Sequence, residues 1–104
     1  MNGLVRIKLA LTEETPTIKP YDENAFALLA DMRLPVGISL ALLDGLHARW
    51  VALYEGMTDE AFARSFFHPE LAETITPAYH AQMYAWHSRH HVGHVTALRR
   101  REGW

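Results

Sequence analysis

Residues 76–104, TPAYHAQMYAWHSRHHVGHVTALRRREGW, decide what kind of fold this chain can make. Thr76 followed by Pro77 is the order favoured at a helix start. The hydroxyl can accept a free backbone N–H, and proline lacks a donor that would go unbonded there. Nothing downstream breaks the helix before Gly103 except Gly93, which costs about 1 kcal/mol relative to alanine. Arg99, Arg100 and Arg101 fall in the final turns, where the partial negative charge of the helix end favours cations. That reading of the arginines, as a solvated complement to the helix dipole, outweighs a nucleic-acid patch.

Upstream, Val36, Leu40, Leu43, His47, Trp50 and Tyr54 recur in steps of three and four, the strongest periodic signal in the chain. Pro35 suits the first turn of this helix and Gly56 its end. Thr58, with Asp59 and Glu60 behind it, caps a shorter helix whose apolar side is Phe62 and Phe66, and His68-Pro69 ends it. Near the N-terminus, Leu4, Ile7 and Leu11, flanked by Val5, predict an amphipathic helix over residues 2–13. Residues 15–34 contain Pro16 and Pro20 and read as an extended linker with a turn around Ala25–Ala30. No strand signal appears. The expectation is all-α, with three main helices and a short one in a single domain over residues 1–104.

Composition narrows the partners. The chain has 104 residues, a formal net charge of −2 and no cysteine. There is no basic field to recruit nucleic acid or an anionic membrane, and thiolate metal sites and cysteine nucleophiles are excluded. Arg6, Lys8, Glu13 and Glu14 interrupt the apolar N-terminus, so it is not read as a signal segment. No apolar run is read as long enough to span a membrane. A cytoplasmic location is expected.

Four of the seven histidines lie within residues 87–94. At about 100° per residue, and with His87 at zero, His91 falls near +40°, His94 near −20° and His90 near −60°. His80 and Leu98 fall near +20°, Met83 near −40° and Tyr84 near +60°, so the histidines share the apolar stripe and are expected to face inward. Buried imidazoles need a hydrogen bond or a metal. Residues one turn apart can converge on one ion, which leaves two candidate pairs, His87 with His91 and His90 with His94. Imidazole suits zinc, nickel, iron or copper. His47, on the stripe of the long helix, reads as a hydrogen-bonded core residue, and His80, nearly two turns from His87, as a support behind the ligands or a packing residue. His68 reads as a cap or loop contact. Trp50, Tyr79, Tyr84 and Trp86 read as core. Asp44, Glu70 and Glu73 are carboxylates that no spacing positions as a base, so no catalytic residue is assigned.

The segments TIKPYDE, LHARW, HPE and AWHSRHHVGHV, in chain order, resemble the DinB/YfiT-like superfamily over nearly all 104 residues. Within it, the chain is similar to the YfiT-like metal-dependent hydrolases, whose relatives include the bacillithiol S-transferase. The resemblance implies a four-helix bundle holding a divalent metal, commonly zinc or nickel, on three histidines. Two of them belong to an H-x-x-x-H pair in the last helix, which falls on His87 and His91. The resemblance also implies hydrolysis, or transfer of a small-molecule thiol to an electrophile.

The family's third ligand lies in a segment that would precede MNGLVRIKLALTE, and here the sequence begins at Met1. The expectation is therefore an incomplete DinB-like bundle, equivalent to the C-terminal portion of a family member. It would be completed by self-association as a dimer, with His47, His80, His94 or a second chain as substitute or supporting ligands. The competing expectation is a non-catalytic helical interaction module with a degenerate metal site.

Overall fold

The computed structural model describes all residues, 1–104. Its three long helices are α1 (Asn2–Thr12), α3 (Val36–Glu55) and α5 (Pro77–Glu102), with short helices α2 (Glu23–Ala27) and α4 (Asp59–Ala63) between them. At 26 residues, α5 is about 39 Å long and dominates a molecule measuring 48 × 28 × 26 Å.

The predicted caps form. Thr76 Oγ1 accepts from Tyr79 N at 3.2 Å with Pro77 at the first turn, and Thr58 Oγ1 accepts from Ala61 N at 3.3 Å. Gly103 ends α5 at φ 72°, a left-handed conformation glycine adopts without steric cost. Pro35 stands one position earlier than expected, as the cap residue of α3, and Gly56 keeps right-handed dihedrals.

Two elements depart from expectation. The linker is not simply extended: Asp22 Oδ1 accepts from Ala25 N at 3.0 Å and starts α2, and a 3-10 turn follows at Ala30–Arg33. An aspartate cap overrides the helix-averse prolines that precede it. The chain also carries strands, β1 (Phe66–His68) and β2 (Glu73–Ile75). They pair antiparallel with Phe66 opposite Ile75 and His68 opposite Glu73. Thr17 adds a parallel bridge to Phe67, with Ile18 N donating to Phe67 O at 3.0 Å. Three-residue strands are too short to show a period of two, so the sequence carried no strand signal to read.

The core lies at one end, where α1, Ile18, the hairpin and the facing ends of α3 and α5 meet. Ile7, Ala10, Ile18, Phe66 and Ile75 form its centre, with Leu53 and Tyr54 packed against it. Gly3 sits where three helices converge: a Cβ there would lie 2.6 Å from the Tyr84 hydroxyl and 2.7 Å from Trp50 Cη2. Only glycine permits that approach. Val5, expected to flank the buried stripe, is instead 52% exposed. Arg64 closes the end of α1, its Nε donating to Ala10 O at 2.5 Å and its Nη2 to Glu13 O at 2.6 Å. These are carbonyls that a helix terminus leaves without partners.

The other end is open. Val36, Leu40, Leu43, Val92 and Val95 are all exposed, and Trp50 is the one buried residue of α3. The α3 segment, 20 residues with a mean hydropathy of 1.3, is long and apolar enough by composition to cross a membrane, contrary to the sequence expectation. Asp44 and His47 interrupt it, but its remaining residues are mostly aliphatic, as in a helix buried on several sides.

Candidate metal centre

The histidine stripe of α5 divides at about Tyr84 into a buried part and an exposed part. His80, on the buried part, is 1% exposed. Its ring stacks on Tyr84 at 4.3 Å, lies 5.6 Å from Trp50 and meets Phe66 edge-on at 6.0 Å. Nδ1 is 3.3 Å from the Tyr54 hydroxyl, while Nε2 has no partner. Burial, and secondarily the Arg6 charge, lower its pKa to about 4. Burial also raises the pKa values of Tyr54 and Tyr84, so Tyr54 stays protonated and can donate to Nδ1. His80 is a buried, neutral residue packed in the core, the packing role being one of the two the sequence left open.

His87, His90, His91 and His94 occupy the exposed part. The expectation that they face inward does not hold within this chain. Their helical direction is that of His80, but every residue of α5 from Ala85 onward is exposed, so nothing buries that face beyond the packed end. Trp86 and Tyr79, expected in the core, are exposed for the same reason.

Convergence is nevertheless present. His87 Nε2 and His91 Nε2 are 2.9 Å apart, with ring centroids at 4.5 Å. Two nitrogens on one tetrahedral zinc, with bonds of about 2.05 Å, stand about 3.3 Å apart. Opening this pair by a few tenths of an ångström would therefore admit an ion, and without one the pair is held by an N–H donated from one ring to the other. The two imidazoles fit one edge of a metal coordination shell.

No third histidine or carboxylate joins them. His47 is exposed at the rim of a cleft of about 220 Å³ between α3 and α5, with Trp50, Tyr84 and Ser88 among its other walls. His94 lies 6.2 Å from His91 and 4.2 Å from His90, ring to ring. None of His47, His80 or His94 substitutes for a third ligand within one chain. Trp86, read from the sequence as core, stacks on His90 at 4.9 Å and on His87 at 6.2 Å. Its position one residue before His87 and four before His90 was the available signal. His90 has a lowered pKa, through desolvation by its neighbours and the proximity of His94, His91 and His87. His68, expected at a cap, is buried in β1 opposite Glu73 with Nδ1 unpartnered.

The comparisons with known proteins agree with this architecture. The sequence pattern of the DinB superfamily matches residues 1–95. The chain is 52% identical over 106 residues to a Bacillus subtilis protein named "Putative metal-dependent hydrolase YfiT", covering 100% of this chain and 59% of that protein. A Bacillus cereus (strain B4264) protein, also named "Putative metal-dependent hydrolase", is 51% identical over 104 residues, again with 100% of this chain and 60% of the relative covered. The solved structure of B. subtilis YfiT, described as "a probable metal-dependent hydrolase with an unusual four-helix bundle topology", superimposes with a TM-score of 0.94 at 50% identity. That match covers 100% of this chain and 60% of the YfiT chain. The chain thus spans about three fifths of the length of the relatives it matches. The helices of this chain follow the YfiT four-helix bundle fold, and the chain belongs to the DinB superfamily.

Proposed function

We propose that His87 and His91 supply two ligands of a divalent-metal centre, zinc or nickel, that serves hydrolysis or transfer of a small-molecule thiol to an electrophile. The observation that carries this reading is the 2.9 Å approach of the two Nε2 atoms. The names of the relatives, which speak of metal-dependent hydrolysis, support it. A bound divalent ion supplies Lewis acidity toward water or a thiol. The chain's own contribution is to hold the two nitrogens one helical turn apart, with Trp86 stacked against the His87 ring. The reading includes a cytoplasmic location, with α3 acting as a bundle helix.

Zinc titration tests it. In a His90→Ala/His94→Ala background, which removes the neighbouring pair, His87→Ala and His91→Ala are each expected to weaken zinc binding about a hundred-fold or more, since even partners behind a ligand contribute 10–100-fold. Both positions are exposed and alanine favours helix, so the fold should persist. Equal affinity in all three proteins would remove the site.

The open end of the bundle supports self-association. Val36 is 72% exposed, and the aliphatic faces of α3 and outer α5 together form a contiguous kind of surface that monomers seldom leave uncovered. Two copies covering each other's open ends would bury it. Sedimentation of the chain at micromolar concentration is expected to give a dimer, and a compact monomer would overturn this. The two-ligand count also favours a second reading, a helical interaction module whose metal site is degenerate. A dimer that purifies with far less than one metal per chain would select that reading.

A further inference from the structure

Metal binding at His87 and His91 leaves His90 and His94 unused, and these two form a second pair with the same spacing. Their rings lie 4.2 Å apart, centroid to centroid, at 61°. That is slightly closer than the 4.5 Å between the His87 and His91 rings. Trp86 lies nearly parallel to His90, at 16° and 4.9 Å, which restrains one ring of the pair before any ion arrives. All four imidazoles are exposed, so neither pair must shed a packed environment to bind.

From this geometry we propose that His90 and His94 form a second site for a divalent transition-metal ion, separate from the His87–His91 pair on the same helix. Imidazole nitrogen selects copper, nickel or zinc over magnesium or calcium, and with two protein ligands the remaining positions belong to water. Such a site ranks copper above nickel and zinc, following the general order for nitrogen ligands. The pairs are interleaved, with His90 and His91 rings at 5.9 Å and His91 and His94 rings at 6.2 Å. Two dications on them repel each other, so the second ion binds more weakly than the first.

The test is a metal count by calorimetric titration of the 104-residue chain with nickel alone and with copper alone, checked by elemental analysis after dialysis at a fixed free-metal concentration. Wild type is expected to bind two ions per chain, the second at least about ten-fold more weakly. The His90→Ala/His94→Ala protein is expected to bind one ion, at His87 and His91. The His87→Ala/His91→Ala protein is also expected to bind one, at His90 and His94, and this distinguishes the second site from the proposed function. One ion in wild type, or two in the His90→Ala/His94→Ala protein, would overturn the proposal. So would loss of a single shared ion in both double variants. Far-ultraviolet circular dichroism of each variant confirms that the helix is retained.

Discussion

Lowering the pH from 7 to 4 is expected to destabilise this chain by on the order of 3 kcal/mol through His80 alone. The folded pKa is about 4, against 6.5 for an ordinary histidine. Between those values the unfolded chain binds more protons than the folded one, so stability rises with pH across the window. The His80 contribution is complete above about pH 6.5 and is lost as the pH falls through about 4. The structural cause is specific. Tyr54 donates to Nδ1, Nε2 has no acceptor, and Trp50, Phe66 and Tyr84 surround the ring. An imidazolium there would carry two N–H donors into a cage that offers one phenolic oxygen, with Arg6 adding repulsion. Urea unfolding at a series of pH values measures the effect. His80→Phe keeps an aromatic ring in the cage and is expected to flatten the dependence between pH 4 and 6.5. A wild-type profile flat over that interval would refute the assignment.

Phe66→Ala is expected to cost about 3–5 kcal/mol. The ring is 1% exposed and is among the largest fully buried side chains. It joins elements far apart in sequence: it packs with Ile7 and Ala10 of α1, with Ile18, with Ile75 across the hairpin, and edge-on against His80. Its backbone is tied into β1, so the surroundings can collapse only partly around the void. A chain of this size, with stability of roughly 5–15 kcal/mol, has little margin for that loss. The midpoint of thermal unfolding should fall by about 12 °C or more, at roughly 4 °C per kcal/mol. A fall below 5 °C would show that the hairpin end is not the centre of stability.

The same two residues show how much could be read in advance. The helical periodicity that marked α1, α3 and α5 depends on local spacing, and so do the Thr58 and Thr76 caps and the Gly103 stop. All were legible. Phe66 was read as the apolar face of a helix, because a strand of three residues has no periodicity and is selected only by its partners, Ile75 and the backbone at Pro16 and Ile18. His80 was legible as an inward-facing histidine from its place on the stripe. The residues that surround it come from three separate elements, so its lowered pKa was not. Arg64 also escaped notice, since its targets are carbonyls about 50 positions away.

For the metal centre, the i,i+4 spacing of His87 and His91 by itself determined that their rings could meet, because one helical turn places them side by side wherever the helix goes. Whether those rings lie in a core or in water was beyond any helical wheel. A wheel gives direction around an axis, while burial depends on what else reaches that height along it. Here α1, the hairpin and one end of α3 enclose His80, while at the height of His87 α3 leaves an open cleft by Ser88 and the histidine face stays uncovered. Burial is a property of neighbours brought together by long-range contacts, and only the tertiary structure could assign them.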